Sequence, residues 1–261
     1  MMDKKIVCIG AGSGYFEKVL IELCQTPEIG GSSVVLYDVA EERMEIIRQV
    51  GERLIEHYKA DLTLSSTTDL AEALDGADYA VSSIGVHGPS ASYHLTDVDV
   101  FARFGILHTT GDTVGPAGLS QGLRLIPIYL QIARQMQKYC PDAIILNHSN
   151  PMSPICRAVT KATGINVIGY CHNVAGAEGY FARMLDVPAE EVEVKAAGPN
   201  HLLWTLGVTH NGRDVYPEVK KRILADESST DRPFSKELLQ RFGLYPIGGD
   251  RHIIEFFPEL R

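Results

Sequence analysis

Two stretches of this 261-residue sequence hold residue types that do chemistry. The first is "VCIGAGSGYF", where Gly10, Gly12, Ser13 and Gly14 stand between an apolar run and an amphipathic one. Backbone N–H groups at a helix N-terminus can approach a pyrophosphate only where no Cβ intervenes. The third glycine is displaced, because the usual G-x-G-x-x-G spacing asks for Gly where Tyr15 stands. Asp38 closes the following run, "VVLYD". A carboxylate there accepts hydrogen bonds from adenosine ribose hydroxyls and repels a 2′-phosphate, so the pattern predicts NAD rather than NADP. The second stretch is "VIGYCHNVAG", where a strand-like run ends in Cys171 and His172. Two readings stand: a buried core thiol beside a loop imidazole, or half of a metal site.

The elements that must position these residues alternate. "KIVCIG", "SSVVLYD", "DLTLSSTTD", "ADYAVSSIG", "AIILNHS" and "NVIGYC" read as strands. "YFEKVLIELCQ", "EERMEIIRQVGERLIEHYKA", "LAEALDG" and "LRLIPIYLQIARQMQKYC" read as helices among them. Short links between strands and helices predict an α/β fold with a Rossmann-like, doubly wound parallel sheet. After about residue 175 the rhythm changes. "EVEVKAAGPNHLLWTLGVTHNGRDVY" predicts antiparallel strands with a hairpin at "HNGR", followed by short polar helices in "PEVKKRILAD" and "SKELLQRFG". The expected organisation is a nucleotide-binding domain over 1–175 and the start of an α+β substrate domain over 176–261. "IIEFFPELR" gives that second domain no clear closing element, so it is expected to be C-terminally incomplete.

The formal charge of −9 and the lack of a basic cluster give nucleic acid or an anionic membrane no electrostatic footing as partners. The first apolar run breaks into glycines too soon for a signal peptide or a membrane span. Five cysteines (8, 24, 140, 156, 171) are odd in number and lack C-x-x-C spacing, which fits a reduced, cytoplasmic protein.

From "ILNHSNPMSPICRAVTKATGINVIGYC" onward the sequence resembles the lactate/malate dehydrogenase superfamily, whose fifth strand also ends in an Asn-Pro turn. Simple dehydrogenases of that group continue into an "LDxxR" helix, where this chain has "CHNVAGAEGYF". Cys-His after the strand, Asn-Pro before it and "GPNHLLW" after it resemble glycoside hydrolase family 4, the NAD- and divalent-metal-dependent glycosidases. The resemblance runs from the glycine loop to the last residue, and "CHNV" with "GDRHIIEFFP" is nearest to the α-galacturonidase-like branch. It implies that Cys171 as thiolate and His201 as imidazole hold the metal, leaving coordination positions for sugar hydroxyls and water. Thiolate softness alone suggests zinc or iron; the resemblance implies Mn²⁺ or another divalent first-row metal. It also places Asn150 at the cofactor and the sugar hydroxyls, and His172 as a residue lining the substrate site.

The implied chemistry differs from two-carboxylate glycoside hydrolysis. NAD⁺ takes hydride from C3 of the sugar, a base removes the acidified C2 proton, the glycosidic oxygen leaves, water adds and hydride returns. Asp250 is the candidate base, and Asp112 in "TTGDTVGPAGL" assists proton delivery or binds a hydroxyl. Arg251 and His252 suit a uronate carboxylate through charge-assisted hydrogen bonds. The expected substrate is an α-galacturonide or related uronide; α-glucuronides, α-galactosides and 6-phosphoglycosides are the other sugars considered. A homo-oligomer, dimer or tetramer, is expected. The competing readings are an NAD-dependent dehydrogenase of a hydroxy acid or polyol, and an inactive NAD-binding fragment. Titration with NAD(H) and NADP(H) should show a preference for NAD; a clear preference for NADP would overturn the assignment of Asp38.

Overall fold

The computed structural model describes residues 3–85, 91–225 and 232–260. Asp226 and Arg261, which end two of the stretches quoted above, lie outside them. The chain divides into two compact units, one running to Asp97 and resuming over Leu119–Tyr170, the other comprising Val98–Gly118 and everything from Cys171 onward. The expected division at 175/176 therefore differs from the observed one in two ways. The second unit begins five residues earlier, and it also takes a segment from inside the first half of the chain.

The first unit holds β1 (Lys5–Ile9), α1 (Tyr15–Cys24), β2 (Ser32–Tyr37), α2 (Glu41–Tyr58), β3 (Leu62–Thr67), α3 (Leu70–Leu74) and β4 (Tyr79–Ser82). Two helices then cross the unit boundaries, α4 (Ala91–Ala102) and α5 (Gly115–Tyr139); β5 (Ile144–Asn147), α6 (Met152–Thr163) and β6 (Asn166–Gly169) follow. The six strands form a parallel sheet in the order β3-β2-β1-β4-β5-β6. This is the doubly wound order, which reverses between β1 and β4, so the glycine loop leaves β1 at the point where such sheets open a crevice.

β1 shows why the strands are apolar throughout. Val7 and Ile9 pack in one core with Leu74, Leu125, Tyr129 and Ile155, residues of α3, α5 and α6. Ile6 and Cys8 pack in another with Phe16, Leu20, Met44 and Ile47, residues of α1 and α2. Alternate side chains face opposite sides of the sheet, and helices cover both, so neither set can be polar. The helix between β5 and β6 and those over 91–102 and 173–185 go beyond the helices named from periodicity. Of the last two, that over 91–102 has only a weak apolar stripe, while that over 173–185 is rich in small residues in its first half but buries Ala177, Phe181 and Ala182.

The second unit holds α7 (Asn173–Leu185), β7 (Val192–Ala197), β8 (Leu203–His210), β9 (Arg213–Asp214), α8 (Tyr216–Ala225), α9 (Pro233–Phe242), β10 (Pro246–Ile247) and α10 (Asp250–Ile253). β10, β8 and β7 are neighbours in an antiparallel sheet, with β9 paired to β8. The "HNGR" hairpin forms as read: His210 pairs with Arg213, and Asn211 and Gly212 have φ of +49° and +78°. Two positive φ values in a two-residue loop match the twist of the flanking strands. Phe181, Val208, Val219, Leu239, Tyr245 and Ile247 form this unit's main core. Among the described residues no helix is long and apolar enough to cross a membrane.

Buried polar groups fix the turn after β5. Asn147 donates from Nδ2 to the Ser149 carbonyl (3.0 Å) and accepts from the Ser149 N–H (3.0 Å). Tyr129, on α5 and 1% exposed, places its hydroxyl within hydrogen-bond distance of both Ser82 Oγ (3.1 Å) and Ser149 Oγ (2.8 Å). Replacing Tyr129 by Phe leaves those hydroxyls short of a partner and is expected to cost about 1–3 kcal/mol. An unchanged urea midpoint in Tyr129→Phe would remove the phenol from this role.

Candidate active site

In the first unit the glycine loop is built by backbone bonds. The N–H groups of Gly10 and Ala11 both donate to the Tyr37 carbonyl, each at 3.0 Å, so the end of β2 holds the loop against β1. Gly10 has φ +89°, and a Cβ there would run into the Ser83 carbonyl at the end of β4. Only glycine meets both conditions. Asp38 is half-buried: Oδ2 accepts from the Gly12 N–H and Oδ1 from the Ala40 N–H, each at 2.8 Å. An ionised carboxylate has about four acceptor sites, so both bonds leave capacity for ribose hydroxyls. Gly14 is exposed and stands at the N-cap of α1 with open space where a Cβ would be. Ser13 bonds locally, its Oγ accepting from the Tyr15 N–H at 3.2 Å. This donor set and clearance fit a dinucleotide phosphate.

Tyr15, in place of the third glycine, was not singled out as a side chain by sequence. Its hydroxyl lies 2.7 Å from His148 Nδ1, and the His148 ring also faces Tyr170 at 5.6 Å between centroids. Burial lowers the pKa of His148. Asn150 begins the cis Asn150–Pro151 bond ahead of α6, and its carbonyl accepts from Gln121 Nε2 at 3.0 Å.

In the second unit, strand register gathers the chemistry. Ile247 of β10 lies opposite Leu203 of β8. His201, two residues before Leu203, and Gly248, directly after Ile247, are thus brought to the same end of the sheet. Gly248 has φ +150°, and a Cβ there would collide with the His201 carbonyl. The two loops therefore touch backbone to backbone, and His201 itself takes a left-handed φ of +70°. That conformation is uncommon for a non-glycine residue and has to be imposed by its surroundings. α10 is anchored by Ile253, fully buried against Phe234 and Leu238 of α9.

Among the described residues, Asp112, His201 and His252 offer donor atoms that all lie within 4.8 Å of one another. His201 and His252 face each other with ring centroids 3.8 Å apart, and His201 is 5% exposed. Asp112 Oδ1 lies 3.5 Å from His201 Nδ1 and 3.7 Å from His252 Nδ1, and accepts from Thr113 Oγ1 at 2.7 Å. Burial alone would raise the Asp112 pKa, but bonds from His201, His252 and Thr113 hold it well below the carboxylate range. Burial likewise opposes a charged His201, yet Asp112 and Cys171 push its pKa up to about 9. Cys171 is half-buried. Burial raises its thiol, but hydrogen bonds from His201, the Asn173 N–H and the Asn200 side chain bring it below the usual value. The thiol of "YCHN" is therefore in a polar, thiolate-favouring setting rather than an apolar core.

The expected pair, Cys171 and His201, is thus hydrogen-bonded, and the structure adds Asp112 and His252 around His201. A soft thiolate, two imidazoles and a carboxylate make a donor set that suits a divalent first-row metal. His252, read from sequence as a sugar contact, was missed as a potential ligand because it lies 51 residues from His201; only the β8–β10 pairing joins them. His172 is exposed and stands at the N-cap of α7, where its carbonyl accepts from the Gly176 N–H at 2.8 Å. Arg251 is exposed, with a guanidinium nitrogen 3.5 Å from the Thr109 carbonyl. Asp250, the candidate base, has both carboxylate oxygens engaged. Its Oδ2 accepts from the Phe234 N–H (2.7 Å), and its Oδ1 from the Ser235 N–H (3.0 Å) and hydroxyl (2.5 Å). These are donors of the first turn of α9, so Asp250 satisfies a helix N-terminus.

The family model described as "Family 4 glycosyl hydrolase" matches residues 5–187, and that of the family's C-terminal domain matches residues 196–260. The chain is 34% identical over 257 residues to an alpha-galactosidase of Bacillus subtilis (strain 168), covering 98% of this chain and 59% of that protein. It is 30% identical over 276 residues to an alpha-galacturonidase of Thermoanaerobacter italicus, covering 97% of this chain and 59% of the relative. It therefore spans about three-fifths of the length of these relatives. A solved 6-phospho-alpha-glucosidase from gut microorganisms, in complex with NAD and Mn²⁺, shares the fold with a TM-score of 0.84 at 23% identity, covering 99% of this chain and 63% of that one. Gly248→Ala should displace the His201 backbone and weaken divalent-metal binding together with stability. Wild-type metal affinity in that variant would show that the contact does not hold His201.

Proposed function

The chain belongs to family 4 of the glycosyl hydrolases, and on that premise we propose that it serves an NAD- and divalent-metal-dependent glycosidase acting on an α-linked galactose-type sugar, galacturonide foremost. The observation that carries this reading is the convergence of Asp112, His201 and His252, with Cys171 hydrogen-bonded to His201. Zinc enzymes with comparable donors exist, but relatives with NAD and Mn²⁺ favour manganese here. When bound, NAD would supply a reversible hydride acceptor, and the metal would supply Lewis acidity towards sugar hydroxyls.

The chain's own residues have separable tasks in this reading. Gly10, Gly12, Ser13 and Gly14 would cradle the dinucleotide phosphates, and Asp38 would accept from the ribose. Cys171 and His201 would hold the metal, with Asp112 and His252 completing or flanking the set. Asp112 is held in its ionised form, so it would act as a ligand or as an acceptor for a sugar hydroxyl rather than as a resting-state proton donor. Arg251, exposed beside His252, would meet a uronate carboxylate; it is the feature that ranks galacturonide above galactoside.

The test is release of reducing sugar from di-galacturonate and from an α-galactoside with NAD⁺, Mn²⁺ and a reductant. Sugar release with catalytic NAD is expected; stoichiometric NADH without sugar release would instead identify a dehydrogenase. Binding of NAD⁺ and Mn²⁺ without turnover would match an incomplete sugar site. Asp250→Asn separates two roles within the same assay. As base, it loses turnover at unchanged melting temperature; as the α9 cap, an amide NH2 replaces one of two oxygens that face N–H donors, and stability falls by about 1–3 kcal/mol.

A further inference from the structure

Glu255 lies one turn beyond His252, and its side chain is 1% exposed. Its Oε1 accepts from the N–H groups of Thr109 (2.8 Å), Thr110 (2.9 Å) and Gly111 (2.9 Å), the three peptide units directly before Asp112. Burial would raise its pKa, but these donors and the Thr110 hydroxyl lower it, so it is an ionised, acceptor-only group. Three consecutive N–H groups around one carboxylate form an anion-binding nest whose anion is the protein's own. Glu255 thereby ties the loop that ends in Asp112 to the turn that carries His252.

The hydroxyls in this network can be assigned. Thr110 Oγ1 lies 3.1 Å from Glu255 Oε2, 3.3 Å from His252 Nδ1 and 3.4 Å from the Arg251 carbonyl. A hydroxyl has one proton, and the charge-assisted bond to Glu255 is both the shorter and the stronger acceptor contact. The Thr110 oxygen must then accept from His252, which puts hydrogen on Nδ1. The other neighbour of that nitrogen, Asp112 Oδ1, is also an acceptor. Thr113 repeats the arrangement: Oγ1 is 2.7 Å from Asp112 Oδ1 and 2.7 Å from His201 Nδ1. In each case a threonine stands between an imidazole and an ionised carboxylate.

We propose that Thr110 and Thr113 are positioning residues for the metal site. Each accepts the Nδ1–H of one imidazole, His252 or His201, and donates its own proton to a carboxylate, Glu255 or Asp112. Hydrogen on Nδ1 makes Nε2 of each ring the nitrogen that a divalent cation would take, His201 giving up to the cation the proton it otherwise shares with Cys171. The proposal rests on the metal reading above. A ligand imidazole whose other nitrogen donates to an acceptor is fixed in tautomer and orientation and made more basic, and losing such a partner typically weakens metal binding about 10–100-fold.

The test is Mn²⁺ binding by the full chain without NAD or sugar, followed by the electron paramagnetic resonance signal of free Mn²⁺. Thr110→Val and Thr113→Val keep the shape and remove the hydroxyl. Each should bind Mn²⁺ about 10–100-fold more weakly, with a native near-ultraviolet circular dichroism spectrum. Thr110→Ser and Thr113→Ser should restore affinity. Valine variants within twofold of wild type would overturn the proposal and leave the metal reading standing. Failure of the wild-type chain to bind Mn²⁺ would overturn both. If valine disturbs folding, Thr110→Ala and Thr113→Ala against the serine variants give the same comparison without added bulk.

Discussion

A carboxylate withdrawn from water must be met by donors, and the second unit is arranged around meeting two of them. Leaving either bare would cost several kcal/mol, comparable to a large part of a domain's net stability. Glu255 is met by the backbone of residues 109–111, and Asp112 by the Thr113 hydroxyl, with the His201 and His252 rings beside it at 3.5 and 3.7 Å. Because the nest that satisfies Glu255 ends at Asp112, the same bonds that make the first acid tolerable set the position of the second. His108 joins the arrangement: its Nε2 accepts from the Ala117 N–H (3.4 Å), which leaves Nδ1–H to face Glu255 Oε1 at 3.3 Å.

Apolar packing supplies the rigidity that this polar network needs. Ile253 sits between His252 and Glu255 in sequence and is fully buried against Phe234 and Leu238. The Asp250 carboxylate fixes the other end of α10 to the first turn of α9. The short stretch from Asp250 to Glu255 therefore carries a core residue, a helix cap, an imidazole and a buried acid. Shifting it would break several kinds of contact together. The left-handed backbone at His201, pressed against Gly248, is tolerated for the same reason: the surrounding structure over-determines it.

The first unit works differently. Its glycine loop is held by main-chain bonds to the neighbouring strand and by Asp38, all within the first 40 residues. Little is asked of distant side chains, because a phosphate is recognised by N–H groups and clearance. The turn at Asn147–Asn150 needs more, since Tyr129 and Ser82 reach it from other elements.

That contrast accounts for what was legible in the sequence. The alternating strands and helices, the glycine loop, the role of Asp38 as a carboxylate beside it, and the Asn211–Gly212 hairpin are local: neighbouring residues set the backbone, and period and turn chemistry reveal it. The family resemblance likewise rests on short motifs around Cys171 and His201. The resemblance put Asp112 and His252 at the sugar, but their closeness to His201 as potential ligands was not readable, because they come from segments 89 and 51 residues away. The helix-capping use of Asp250 and the burial of Glu255 in a backbone nest were hidden for the same reason. An acid's role depends on which donors surround it, and here those donors are peptide N–H groups that every residue but proline has. The sequence by itself determined the fold class, the nucleotide loop and the residue types available for chemistry. Only the tertiary structure decided which of those residues meet, because the pairing of β8 with β10 and the burial of two charges set distances that spacing along the chain does not contain.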